Sequence, residues 1–283
     1  MARIFPRLIL LPAAVLGLVA GGALAAAPGL RAIVSAVAHN PERLASLPGS
    51  PNIHFEAGGE AFARRVAVLL PGAMAKVEAA QGKPFRYPVS LGVFVTPAAY
   101  AAANGLGTPG VAGVTFGERI TLSPILFTSH PERLEAVLTH ELSHAHLGQW
   151  LPLAVELRLP NWFREGLAVL ASDGGGAEGI SEDDLRAALA KGDRIALPAQ
   201  GSLLNLTAVR FENPASEPAN NAARAHLAYR QAGAFVGYLR RSDPAAFAAM
   251  LGEIYAERPF AASLADGYGQ SIEALWRDFA KTI

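Results

Sequence analysis

Two histidines and a glutamate near the middle of the chain have the spacing of a metal site with an adjacent base. His140, Glu141 and His144 form the pattern H-E-x-x-H. Helical side chains four residues apart leave the same face, so both imidazoles can reach one zinc ion at about 2 Å. Glu141 is rotated by about 100° from His140, where its carboxylate can take a proton from water without binding the metal. The pattern therefore predicts a zinc site with a general base beside it.

A third ligand is expected in the next apolar segment, W-F-R-E-G-L-A at 162–168. A glutamate in such a run is costly to bury unless its charge faces a cation. Arg164 is the simplest partner for Glu165, but adjacent helical positions point apart. We therefore expect Glu165 to be the third ligand, and Gly166 to let a neighbouring helix approach closely.

The elements that must position these residues change in character along the chain. Apolar, β-branched segments dominate before residue 131, and helical periodicity dominates after it. Predicted strands cover 52–55, 89–96, 111–116 and 119–122, and predicted helices cover 31–38, 60–80, 131–148, 161–172, 181–190, 220–241, 244–256 and 271–281. Pro71 is expected to kink or split the helix 60–80. This order predicts an α+β fold in one domain, residues 52–283, with a sheet-containing part at 52–148 and a helical part at 149–283.

Composition narrows the classes of function. The chain is 51% hydrophobic and 17% charged, as expected of a folded protein. Its 24 basic and 24 acidic residues balance and form no basic cluster, so no nucleic-acid partner is expected. Cysteine is absent, which excludes disulfides, thiolate metal ligands and a cysteine nucleophile.

The N-terminal segment has the pattern of an export signal. Arg3 and Arg7 precede an apolar run at 8–20, and small residues ending in an A-x-A site follow, which predicts a signal peptide at 1–25. An uncleaved membrane anchor is the alternative, because about twenty apolar residues can span a bilayer. Either reading places the body outside the cytoplasm, in the periplasm or the extracellular space. The Pro- and Gly-punctuated stretch 26–51 is predicted to be a tether.

Together, H-E-L-S-H at 140–144 and W-F-R-E-G-L-A at 162–168 resemble the gluzincin metallopeptidases, with the bacterial "peptidase MA-like" families closest. The likeness is looser elsewhere and covers about residues 52–282. It continues through the strand 89–96, the Ala112-Gly113 turn, the strand 119–122 and the segments 228–231 and 272–276. The resemblance implies a zincin-like fold, with His140, His144 and Glu165 as zinc ligands and Glu141 as base and proton shuttle.

The resemblance also implies hydrolysis of an amide bond in a peptide or protein substrate. Two imidazoles and one carboxylate leave zinc an open fourth position, which lowers the pKa of a bound water towards about 7. The strand before the active helix, 119–122, is expected to bind an extended substrate at the sheet edge. In some relatives a downstream tyrosine supports the oxyanion, and Tyr229 lies at a comparable distance. His226, one turn earlier, is the other candidate donor.

The chain departs from the family pattern at the residues that orient the ligands. Thermolysin-like enzymes have an aspartate four residues after the ligand glutamate, where this chain has Val169. Ser172 and Asp173 are the candidates by proximity for orienting a ligand histidine. His146 follows His144 by two residues and is expected to point away from the metal. The metzincin extension is absent.

Two other functions stay open at this point. A zincin-like module could bind zinc and serve in envelope binding or assembly with little or no turnover. The intact Glu141 argues against it, because a structural site needs ligands but no base. A globular domain with a coincidental motif is the third reading. No motif marks recognition of a terminal amine or carboxylate, so the sequence predicts neither endo- nor exo-cleavage.

Overall fold

A five-stranded mixed sheet forms the first part of the fold. The chain is represented by a computed structural model that describes residues 28–201, 209–213 and 222–283. The strands are β1 (Ala45–Leu47), β2 (Ser50–Phe55), β3 (Ser90–Val93), β4 (Gly113–Phe116) and β5 (Arg119–Leu122). Their order is β1-β2-β3-β5-β4, with β2, β3 and β5 parallel and the two outer strands antiparallel to their neighbours.

Helices pack around this sheet and continue as a separate layer after it. They are α1 (Pro28–Ala38), α2 (Glu60–Gln81), α3 (Pro97–Ala103), α4 (Ile125–Thr128), α5 (Leu134–Trp150), α6 (Leu153–Glu156), α7 (Asn161–Ala171), α8 (Glu182–Ala190), α9 (Ala222–Ser242), α10 (Pro244–Tyr255), α11 (Phe260–Tyr268) and α12 (Ile272–Ala280). Short 3-10 turns at Pro41–Arg43 and Pro131–Arg133 precede β1 and α5. The predicted α+β class is therefore confirmed. No helix in the described part of the chain is both long and apolar enough to cross a membrane.

Helix α5 lies between two hydrophobic clusters. Leu138 and Leu142 pack into a cluster with the sheet and α2, while Leu147 packs into a second cluster with α7 and α9 to α12. A helix buried on several sides is apolar around most of its circumference rather than along one stripe. The polar residues of H-E-x-x-H are thus held by a helix with packing on both sides of it.

The N-terminal part of the sheet begins earlier than the sequence predicts. Strand β1 and the start of β2 lie within 26–51, the segment predicted as a tether, while residues 1–25 lie outside the described ranges. Leu47 is buried against the sheet, and Gly49 has a φ of 83°, which allows the tight turn between β1 and β2. A three-residue strand that begins with two small residues is too short to show a period-two pattern.

Pro71 does not split helix α2. The helix runs unbroken from Glu60 to Gln81 with Pro71 inside it, and Pro71 and Gly72 are exposed. On the solvent side of a helix, water can satisfy the carbonyl that loses its backbone donor to proline.

The sheet edge beside α5 is formed by a different strand from the one expected. The prediction that 119–122 forms this edge is wrong, because β5 pairs with β3 on one side and with β4 on the other. The chain folds back at Gly117, which has a φ of 63°, and this two-residue hairpin places β4 outside β5. Within the described ranges, β4 is therefore the edge strand that lies beside α5.

Helices α7 and α9 lie close together at positions where each has a glycine. This agrees with the expectation that Gly166 lets a neighbouring helix approach closely. A Cβ added at Gly166 would lie 2.6 Å from the carbonyl oxygen of Ala232, and one added at Gly233 would lie 2.3 Å from Cγ1 of Val169. This close approach matters for the site because α7 carries Glu165.

The Gly166→Ala substitution is expected to lower the free energy of unfolding by about 1–3 kcal/mol, because the backbone of α9 must move to admit the methyl group. Gly252→Ala is the matched control in α10, where an added Cβ meets nothing within 4 Å. It is expected to raise stability by about 0.5–1 kcal/mol, since alanine favours the helix. Urea denaturation measures both, and equal stability of Gly166→Ala and the parent chain would refute the tight contact.

Candidate metal centre

The structure brings the three ligands expected from the sequence to one point. His140 and His144 project from α5, and Glu165 projects from α7, which packs against α5. The two Nε2 atoms lie 3.2 Å apart. Glu165 Oε2 lies 3.2 Å from Nε2 of His140 and 3.5 Å from Nε2 of His144. The three donor atoms therefore form a nearly equilateral triangle.

The size of this triangle fits a small divalent cation. Bonds of about 2.0–2.1 Å at tetrahedral angles hold neighbouring zinc ligands about 3.3–3.4 Å apart. The observed separations of 3.2–3.5 Å match that spacing. This buried group of two imidazoles and one carboxylate could bind a metal ion.

Hydrogen bonding shows which nitrogen of His140 faces the centre as an acceptor. Nδ1 lies 2.9 Å from the carbonyl oxygen of Gly175, which can only accept, so Nδ1 carries the hydrogen. In the neutral ring, Nε2 then presents a lone pair to the carboxylate of Glu165 at 3.2 Å. Two facing acceptors repel each other unless a cation lies between them, whether a proton or a metal. The arrangement therefore suits a proton or a metal ion at its centre.

The pKa shifts of the ligands point the same way. Burial alone would lower the pKa of His140, but the hydrogen bond and the charge of Glu165 raise it to about 9. Burial would likewise raise the pKa of Glu165, yet the positive charges and hydrogen bonds of His144 and His140 lower it. Both shifts favour a positive charge between His140 and an ionised Glu165.

A glycine-rich loop after α7 supplies the group that orients His140. Gly174 and Gly176 have φ values of 107° and 86°, and a Cβ at Gly176 would lie 3.1 Å from Cε1 of His140. A Cβ at Gly175 would lie 2.6 Å from the carbonyl oxygen of Ala136. Only glycines let this loop come so near α5. The three consecutive glycines are the feature of the sequence that indicates such a close approach.

Ser172 and Asp173, the candidates by proximity, do not orient His140. Ser172 Oγ donates to the Ala168 carbonyl at 2.6 Å, and the exposed carboxylate of Asp173 lies 3.4 Å from Nζ of Lys76. The three consecutive glycines indicate a tight loop, but a backbone carbonyl has no side-chain signature, so the sequence could not show that the Gly175 carbonyl orients His140.

Glu141 lies next to the triangle and is not part of it. Its side chain is buried between α5 and the edge strand β4. Thr115 Oγ1 donates to Glu141 Oε2 at 2.7 Å. Glu141 therefore lies between the two histidines in the helix, with its carboxylate against β4, and its role as a base stays a prediction. The sequence did not predict the hydrogen bond from Thr115 to Glu141, because this contact depends on the packing of β4 against α5.

Arg164 has partners other than Glu165. Its guanidinium donates to Asn161 Oδ1 at 2.9 Å and lies 3.7 Å from the carboxylate of Glu156. Burial raises the pKa of Glu156, and the charges of Arg164 and His144 oppose that rise. Glu156 is thus, besides Glu141, a further carboxylate near the predicted ligands. It lies in a short connecting helix, where nothing in the sequence indicated that it would be close to them.

The two candidate donors to an oxyanion occupy different positions. The ring of Tyr229 stacks on His140 with centroids 6.0 Å apart. Burial, followed by the charges of Glu165 and Glu141, raises the pKa of Tyr229 well above its ordinary value, so the hydroxyl keeps its proton. His226 Nδ1 instead donates to the carbonyl of Glu178 at 2.8 Å, in the loop after the glycines. A role for either residue in catalysis stays a prediction.

His146 points away from the three ligands, as its spacing predicts. Its Nε2 donates to the carbonyl of Lys83 at 2.9 Å, and its ring packs edge-on against Phe85. Burial lowers its pKa, which keeps the ring neutral in this apolar setting.

Comparison of the chain with models of known protein families, with curated proteins and with solved structures found no match.

Proposed function

We propose that this chain is a zinc-dependent hydrolase of peptide bonds with a zincin-like fold of the gluzincin type. One observation carries the proposal: three donor atoms converge at zinc spacing, and Glu141, on the same helix as two of them, contacts β4, the edge strand of the sheet in the described part of the chain. The donor set of two imidazoles and one carboxylate is the one found in thermolysin-type catalytic sites. When bound there, zinc would supply Lewis-acid polarisation of a carbonyl and make an attacking water more acidic.

The residues around the ligands have defined tasks in this reaction. Glu141 takes a proton from the attacking water as the new carbon–oxygen bond forms. It then passes that proton to the leaving nitrogen as the carbon–nitrogen bond breaks, so Glu141 returns to its ionised form. The hydroxyl of Tyr229, which burial keeps protonated, is the candidate donor to the developing oxyanion.

The hydrogen-bond pattern of β4 supports an extended peptide as the substrate. Ser123 N donates to the carbonyl of Ala112 at 2.9 Å, so every second residue from Ala112 onward bonds to β5. The alternate residues, Gly113 and Thr115, therefore direct their backbone N–H and C=O groups to the open edge. A peptide added there would gain main-chain hydrogen bonds and run alongside Glu141.

The proposal is tested with the purified chain and an unfolded protein as substrate. We expect hydrolysis that a chelator abolishes and that added zinc restores. A chain that binds zinc without hydrolysing any of a panel of unfolded proteins and peptides would instead support the zincin-like binding module. A chain that binds no divalent metal would refute both readings.

A further inference from the structure

Strand β4 presents two positions of one face to the side chain of Glu141. A Cβ added at Gly113 would lie 2.8 Å from Cγ and 3.1 Å from Oε1 of Glu141. Two residues along, Thr115 Oγ1 donates to Oε2 of the same carboxylate at 2.7 Å. Residues i and i+2 of a strand face the same side, so the two positions contact opposite oxygens of one carboxylate.

The hydroxyl of Thr115 has one hydrogen and two acceptors within reach. They are Glu141 Oε2 at 2.7 Å and the backbone carbonyl of Glu141 at 2.9 Å. The ionised carboxylate is the stronger acceptor, so it takes the hydrogen. Oε2 then accepts from Thr115, which leaves Oε1, on the Gly113 side, as the oxygen better able to receive a proton.

We infer that Thr115 is a positioning residue for Glu141, an inference that rests on the proposed function. Its hydroxyl holds the carboxylate with Oε1 directed towards the reacting water. Its backbone groups also lie on the open edge where a peptide would dock. Substrate docking and alignment of the base thus depend on the same residue of β4, and a shift of the strand would change both.

Two substitutions separate the hydroxyl from the shape of the side chain. Thr115→Val removes the hydroxyl and keeps the volume, whereas Thr115→Ser keeps the hydroxyl. A lost hydrogen bond to a charged group corresponds to a rate loss on the order of 10- to 100-fold, which we expect in kcat of Thr115→Val. We expect the KM and the zinc content to stay within about twofold, because the backbone edge and the three ligands are unchanged, and kcat of Thr115→Ser to stay near the parent value.

A second measurement examines the contact without any turnover. In the chelated protein, Thr115→Val should lower the denaturation midpoint in the parent background and lower it much less in a Glu141→Ala background. Equal shifts in the two backgrounds would overturn the contact. Unchanged kcat of Thr115→Val in an active parent chain would overturn the positioning role alone. A parent chain that hydrolyses nothing would overturn the proposed function, and the positioning role with it.

Discussion

Glu141→Gln is expected to retain the metal and to lower kcat by about 10²–10⁴-fold, the usual contribution of a positioned general base. The amide keeps the size and much of the hydrogen bonding of the carboxylate, but it cannot accept the proton from water. The ligands His140, His144 and Glu165 are unchanged, so metal content should equal that of the parent chain. Steady-state kinetics and metal analysis on the same preparation measure both quantities.

Glu135→Gln is the matched control for this variant. Glu135 lies in the first turn of the same helix, and its exposed carboxylate bonds to Nζ of Lys76 at 2.9 Å, away from the ligands. Its activity should equal that of the parent chain. Full activity in Glu141→Gln would contradict the assignment of the base.

Removal of the metal is expected to destabilise the folded chain. An ion that binds only the folded state stabilises it by about 4 kcal/mol when its free concentration is a thousand times the dissociation constant. Chelation should remove that contribution, because it is supplied only by binding of the ion to the folded chain. Denaturation with and without chelator at fixed zinc concentrations measures the effect.

Glu165→Ala tests whether the stabilisation by zinc depends on the third ligand. In this variant the stability should no longer depend on zinc over the range that stabilises the parent chain. Glu182→Ala, at an exposed carboxylate on α8, should keep the full dependence. Equal zinc dependence in Glu165→Ala and the parent would show that the ion binds elsewhere.

The residues of the site could be predicted from the sequence because their spacing has a direct geometric meaning. Four-residue spacing on a helix determines that His140 and His144 face one point, and a glutamate in an apolar run, such as Glu165, is costly to bury without a cation nearby. The boundaries of α5 and α7 followed from the same periodicity to within a few residues. The α+β class followed from the order of the elements.

The features that escaped prediction depend on tertiary packing or on the backbone. The order of β4 and β5 in the sheet depends on which strand of a hairpin pairs with β3, and both are four-residue strands of mixed polarity. The Gly175 carbonyl and the Thr115 hydroxyl act through contacts between segments distant in the chain. Strand alternation alone cannot show that Thr115 faces Glu141, because it depends on how the sheet packs against α5.

Metal analysis of the chain purified with zinc present, then dialysed, distinguishes a real centre from an accidental cluster. We expect one zinc ion per parent chain and its loss in Glu165→Ala, with Glu141→Gln retaining it. A parent chain without zinc, or a Glu165→Ala variant that binds zinc as tightly as the parent, would contradict the three-ligand site.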